Sequence, residues 1–235
     1  MKIKVIGSGY TWLNDPNTSF ILNDEILFDT PQSMTKFFHM EAFKLKAIFI
    51  THFHSDHFAD LHLIADWIVY KKPKEKITVY APRGAFKRLM GLYKLMEVNL
   101  SKKDILRHFK FVPVKDGDVI KFDKYQVEVA EVQHTTKVAY GYIFKEQGCS
   151  KIVGFSGDTI ECPGLRKVID KSDVVFIDTS GTEKNKSHLS RGEVVDIMKA
   201  HPNKTFYSVH VNKDRQDEYT NSLNIARRGQ VINIK

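Results

Sequence analysis

The segment Ala47-Ile48-Phe49-Ile50-Thr51-His52-Phe53-His54-Ser55-Asp56-His57 decides how this chain is read. Its first four residues form a short apolar run whose length and β-branched content predict a buried strand rather than a helix. In extended chain, residues two apart face the same way, so His52 and His54 can converge on one point. Asp56 and His57 fall in the turn toward the next helix, where they can reach a second point nearby. Imidazole nitrogens with a carboxylate suit zinc, manganese or iron. A chance polar loop is the bland alternative. Three histidines and an aspartate packed into positions 52–57, directly after an apolar strand, are too specific a pattern for it.

Working outward, Leu61, Ile64, Ala65, Ile68 and Val69 recur at helical spacing, which predicts a helix over 60–70. A strand follows at 77–80, and Pro82-Arg83-Gly84 opens another helix. Ser101 is a good N-cap, with Asp104 at the capping-box position. Upstream, residues 2–6 read as a strand broken by Gly7-Ser8-Gly9. That triplet lacks the third glycine and following helix of a dinucleotide fingerprint, so it reads as a turn. Strands at 19–22 and 25–28 flank the turn Asn23-Asp24. The second half continues with strands at 119–122, 125–132, 139–144, 151–155, 174–177, 205–209 and 231–234. Helices are expected at 165–169, at 192–200 and near Leu223. Strands with interspersed helices in both halves predict an α/β fold of two packed sheets with helices outside. No low-complexity linker or short repeat divides the chain, so 1–235 is expected to form one domain.

Further candidate ligands stand just beyond apolar strands. His134 follows 127–132, Asp158 lies in Phe155-Ser156-Gly157-Asp158-Thr159, and His210 follows 206–209. Taken singly, each reads as a surface or helix-capping residue. Beside the His52–His57 cluster they read as the rest of a metal site, because loops after strands gather at one sheet edge. His188, in Ser187-His188-Leu189-Ser190, has two readings: part of the cap region of the 192–200 helix, or a mobile acid near the metals. His39, His62, His108 and His201 are assigned to surface or packing roles.

Composition narrows the class. The two cysteines, Cys149 and Cys162, form no C-x-x-C pair, so neither a disulfide framework nor a thiolate zinc cluster is expected. The formal charge of +8 favours anionic partners, although the excess is spread along the chain. Its densest run, Lys71 to Lys76, reads as a solvated loop. No apolar run of about 18 residues and no signal-peptide core are present, so no membrane partner and a cytoplasmic location are expected.

On Asp29 in Phe28-Asp29-Thr30, the His52–His57 segment, and His134, Asp158 and His210 in that order, the chain resembles the metallo-β-lactamase superfamily over nearly its whole length. Several segments look most like the branch of ribonuclease Z and the small cyclic phosphodiesterases. They are Phe49 to His52, Val79 to Gly84, Tyr140-Gly141-Tyr142, Phe155 to Thr159, and Ser187 to Ser190. The resemblance implies a four-layer αβ/βα sandwich with its site at one edge of the sheets. It implies two divalent metal ions, Zn2+ first and Mn2+ also suited. His52, His54 and His134 would hold one, Asp56, His57 and His210 the other, and Asp158 would bridge them. Asp178 would orient His188, His188 would protonate the leaving alkoxide, and Asp56 would take the proton of a water activated between the two ions.

Two departures direct the expectation. Only 23 residues (135–157) separate His134 from Asp158, too few for the long tRNA-clamping arm of ribonuclease Z. The stretch His210-Val211-Asn212-Lys213 also departs from that enzyme's usual final motif. The expected activity is hydrolysis of a small anionic phosphodiester, a cyclic nucleotide first, by a homodimer. A ribonuclease Z-like enzyme acting on RNA and a lactonase of the same fold are the alternatives.

Overall fold

Short apolar strands dominate because β-branched and aromatic residues alternate between two packed faces. One sheet contains β1 (Lys2–Gly7), β2 (Ser19–Leu22), β3 (Ile26–Phe28), β4 (Ala47–Phe49), β5 (Ile77–Ala81), β6 (Phe109–Pro113) and β13 (Val231–Asn233). Their spatial order is β13-β1-β2-β3-β4-β5-β6. The second sheet contains β7 (Val119–Phe122), β8 (Tyr125–Val132), β9 (Ala139–Glu146), β10 (Val153–Phe155), β11 (Val174–Asp178) and β12 (Thr205–Val209), in the order β12-β11-β10-β9-β8-β7. This computed structural model describes residues 1–9, 16–32, 34, 44–212 and 217–235. His39 and Lys213 lie outside the described residues.

The period of two is visible in the packing. Phe20, Phe28 and Phe49 point between the sheets and meet Tyr142, Phe144, Phe155 and Phe176 from the other side. The rings of Phe28 and Phe155 stack with centroids 4.0 Å apart. The alternate residues Ile21, Leu27 and Ile48 point outward. There they are covered by α2 (Leu61–Lys71), α3 (Ala85–Leu95) and α4 (Lys102–His108), through Leu61, Ile64, Leu89 and Ile105; the single-turn α1 (Ser55–Phe58) precedes these helices. On the second sheet, Ala130, Ile143, Val175 and Ile177 pack under α5 (Pro163–Lys171) and α6 (Arg191–Ala200). The result is the four-layer αβ/βα sandwich that the resemblance implied. Burying both faces of each sheet explains why its strands read as nearly continuous apolar runs.

Strands β3 to β6 pair in parallel, as do β10 to β12. Parallel strands direct their carboxyl ends to one edge, where ligands of α/β folds bind. Asp29, the His52–His57 segment, Asp158 and His210 follow such ends, and Asp178 is the last residue of β11. β8 runs antiparallel to β9, which runs antiparallel to β10, so His134 reaches the same edge.

The structure differs from expectation in three places. β6 was not expected: α4 passes into it at Phe109 with no intervening turn residue, so no breaker marks the change. β1 runs on through Gly7 rather than stopping before it. A Cβ at Gly7 would lie 2.2 Å from the carbonyl oxygen of Asn17, so glycine there permits a close backbone approach. The helix expected near Leu223 is one 3-10 turn, Thr220–Ser222. The capping box of Ser101 and Asp104 is present at the start of α4.

Candidate metal centre

The site begins with β3 and β4 lying side by side. Asp29 follows β3 with φ of +55°, which turns its carboxylate back toward the end of β4. Its Oδ1 accepts the backbone N–H of Thr51 at 2.8 Å, and its Oδ2 accepts the Thr51 hydroxyl at 2.8 Å. Residues 52 to 54 leave the strand in extended chain, and His54 is the N-cap of α1. Asp56 and His57 therefore sit on a single helical turn, beside the histidines that precede it.

Two groups of side chains converge here. His52, His54 and His134 form one; Asp56, His57, Asp158 and His210 form the other. In each group the candidate ligand atoms lie within 4.8 Å of one another. The first group is all imidazole, with the His134 Nε2 3.1 Å from the His54 Nδ1. The second group is wholly buried and centred on Asp158. Its Oδ2 stands 3.2 Å from the His57 Nε2 and 3.3 Å from the His210 Nε2. Asp56 Oδ2 lies 3.7 Å from the same His210 nitrogen. A third grouping, of His134, Asp158 and His188, connects the two.

Hydrogen bonds on the far ring nitrogens orient these imidazoles. His57 Nδ1 lies 2.7 Å from Asp29 Oδ2, and His134 Nδ1 lies 2.7 Å from the carbonyl oxygen of Ser187. A carbonyl only accepts, so His134 donates through Nδ1 and its Nε2 is left with a lone pair toward the site. Such outer partners raise ligand basicity and hold the ring in place.

The charge balance of the protein fits a cation. Burial lowers the pKa values of His52, His54 and His134, which favours neutral rings with lone pairs available for bonding. For His57 burial acts in the same direction, but the carboxylates of Asp158 and Asp29 outweigh it and hold the ring well above its ordinary value. Asp158 is the converse: burial pushes it up, and His210 and His57 together pull it well down. Burial also lowers the pKa of His210, against the pull of Asp158 and Asp178, so the second group sets two carboxylates among imidazoles. His52 adds an independent observation. It is fully buried, its Nδ1 faces the Thr51 hydroxyl at 3.0 Å, and its Nε2 has no hydrogen-bond partner among the described residues. A buried polar atom left so costs ~1–3 kcal/mol. Divalent metal ions match this donor set in both softness and number.

Beside the two groups, His188 Nδ1 lies 2.9 Å from Asp178 Oδ2 and 3.8 Å from Asp158 Oδ2. Asp178 is buried and held in turn by the N–H groups of Thr159 and Ser180. Burial lowers the pKa of His188, but Asp178 and Asp158 prevail and push it up to about 9. His188 therefore stands beside the two groups, while the cap of α6 is supplied by Ser190 and Glu193. His62 instead bonds locally, its Nδ1 2.6 Å from the carbonyl of Ala59. Sequence reasoning marked Asp29 but not its partnership with His57, and it overlooked Thr51 and the Ser187 carbonyl. The signal for Asp29 was available, since it too is a carboxylate directly beyond an apolar strand.

Comparison with known proteins follows the same line. Residues 1–232 match the family described as "Anti-Pycsar protein Apyc1". A ribonuclease Z of Pyrococcus horikoshii is 31% identical over 138 residues, covering 57% of this chain and 43% of that enzyme. The chain thus spans less than half the length of this relative. Among solved structures, the metallo-β-lactamase fold protein YhfI of Bacillus subtilis superposes with a TM-score of 0.80 at 17% identity, over 99% of each chain. The short form of human tRNase Z gives 0.79 at 18%, over 100% of each. At those identities the likeness is one of fold.

Proposed function

The chain belongs to the family of the Anti-Pycsar protein Apyc1, within the ribonuclease Z-like branch of the metallo-β-lactamase superfamily, and on this premise we propose that it is a binuclear metal-dependent phosphodiesterase. Its substrate is a small phosphodiester, a cyclic nucleotide first. One observation carries this reading: two groups of candidate ligands lie side by side, linked through His134 and Asp158, and a histidine anchored by a buried carboxylate stands beside them.

His52, His54 and His134 would hold one ion, Asp56, His57 and His210 the other, with Asp158 shared. Zn2+ is the first candidate and Mn2+ also suits the ligands. When bound, two such ions supply Lewis-acid stabilisation of phosphoryl oxygens and make water more acidic. Asp56 takes the proton of the attacking water. Asp178 holds the His188 ring by Nδ1, and His188 would protonate the leaving alkoxide. This acid has no purpose in a non-enzymatic module. It is suited to an alkoxide, which leaves poorly unless protonated. We take the working form to be a cytoplasmic homodimer; no helix among the described residues is long and apolar enough to cross a membrane.

The second reading, a nuclease acting on RNA, is favoured by the ribonuclease Z relatives. Against it stands the short connection between His134 and Asp158, which is taken up by β9, a turn and β10. The deciding experiment assays the Zn2+- or Mn2+-loaded protein against a cyclic nucleotide panel, bis-p-nitrophenyl phosphate, short RNA and a lactone. Cyclic nucleotide hydrolysis is expected. Activity on the lactone alone would refute the phosphodiesterase, and processing of RNA alone would establish the second reading.

A further inference from the structure

A groove of about 750 Å³ adjoins the metal centre, with His54 forming part of its wall. Three connections shape it: the turn after β5 with Arg83, the end of β6 with Val114 and Lys115, and the β8–β9 turn with Lys137 and Val138. Its volume is that of a small-molecule site rather than a track for a long polymer. The floor is apolar and partly aromatic, including Phe53, Val114 and Tyr140. Cations stand on the rim, with Asp118 among them.

One arrangement within it points to a ligand type. The guanidinium of Arg88, on the exposed side of α3, lies over the ring of Phe53 at 4.5 Å from its centroid. Phe53 is fixed from behind by Phe58, edge to face, at 5.1 Å. Arg88 has no ion pair among the described residues, so the aromatic ring is what holds its planar head. A guanidinium held over a ring can offer its outer face as a second stacking surface. Nucleobases are stacked in this way on aromatic rings and guanidinium planes. Phe53 lies between His52 and His54 in the chain, so the stack is tied to the metal-binding segment by adjacent peptide bonds.

We propose that this groove is the nucleoside subsite of the centre. The base of a nucleotide phosphodiester stacks on Arg88, which is carried on Phe53, while the phosphodiester lies at the two ligand groups. This rests on the phosphodiesterase reading above and makes Arg88 a specificity-determining residue.

The test compares two esters that share one leaving group, thymidine 5′-p-nitrophenyl phosphate and methyl p-nitrophenyl phosphate. The wild-type protein, loaded with Zn2+ or Mn2+, should prefer the thymidine ester through KM. Arg88→Ala should narrow that preference about ten-fold, as expected from the loss of one base-stacking contact. Arg88→Lys should narrow it similarly, because lysine keeps the charge but not the plane. Metal content of each variant checks that the neighbouring site is intact. An unchanged preference in Arg88→Ala overturns the proposal. Full recovery in Arg88→Lys also overturns it, since the groove would then read charge, as a second anionic group would require. If the wild type cleaves neither these esters nor any cyclic nucleotide, the phosphodiesterase reading fails; if it cleaves a cyclic nucleotide alone, that reading stands. The groove is then judged by equilibrium binding of thymidine 5′-monophosphate, which Arg88→Ala should weaken about ten-fold; equal binding overturns the subsite.

Discussion

The two ends of the sandwich both collect charge, and they treat it in opposite ways. At the end where β3, β4, β8, β10, β11 and β12 terminate, Asp29, Asp56, Asp158 and Asp178 are buried among histidines. At the other end, Glu25 and Asp123 pair with Lys46, and Glu146 pairs with Lys124 and the N-terminal amine. Those lysines are about half exposed, at 48% and 49%. Pairs whose lysines reach water contribute roughly 0–1 kcal/mol each, although Glu146 itself is buried, at 8% exposure. Buried carboxylates impose a desolvation penalty of several kcal/mol per ion unless the surroundings compensate. The proposed metal centre accounts for four of them at one edge, two as candidate ligands and two behind histidines. The difference teaches that charge marks function in this molecule only where it is sealed from water and oriented by a second layer of hydrogen bonds.

Substitutions at the two ends test that contrast. The largest effect is expected from Asp158→Ala, which removes the carboxylate proposed to lie between the two ions. Metal content should fall at both positions and turnover should drop to background; retention of two ions per chain would break the bridging assignment. Next comes His188→Ala. It should lower turnover by about 10²–10⁴-fold while metal content stays at the wild-type level. Undiminished turnover on the true substrate would remove His188 from the reaction. Asp29→Asn should act on metal affinity alone, weakening it about 10–100-fold, because His57 loses the carboxylate behind it. Titration with a competing chelator measures this, and unaltered affinity would show the Asp29 contact to be structural.

The smallest effect belongs to the far end. Burial raises the pKa of Glu146, but Lys124, Asn23 and the N-terminal amine outweigh it, so the folded value lies below the ordinary 4.5. A depressed carboxyl pKa stabilises the fold above the unfolded value, and that contribution disappears as pH falls through the folded value. Glu146→Gln should therefore cost up to about 1 kcal/mol at neutral pH and nothing in strong acid, with turnover and metal content unchanged. Denaturant melts at pH 7 and pH 3 would show it. A loss of metal in this variant would contradict the separation of the two ends.

Much of the candidate site was legible because its candidate ligands obey local rules. Metal ligands closely spaced in sequence, as from His52 to His57, stand out in any chain. His134, Asp158 and His210 are each a polar residue just past an apolar strand, a position that topology sends to one edge. Elements were legible where periodicity was strong, as in α2 and β8. β6 was not, because α4 runs into it without a turn residue, although Phe109 and Phe111 alternate as strand residues do. The partnerships of Thr51 with Asp29, Asp29 with His57, and His134 with the Ser187 carbonyl left no trace in composition or spacing.

By itself, the sequence determined the two-faced strands, the helices that cover them and the kinds of atoms available to a metal ion. These follow from side-chain chemistry and from periods of two and 3.6, which are properties of the chain alone. Only the tertiary structure decided which groups became neighbours. Asp158 meets His57 and His210, and Asp178 meets His188, because parallel strands in two sheets end in register at the same edge. That register is set by the packing of Phe28, Phe49, Phe155 and Phe176 between the sheets, so the core positions the candidate ligands. The same packing brings the loops after β5, β6 and β8 together beside His54, where Arg88 lies on Phe53.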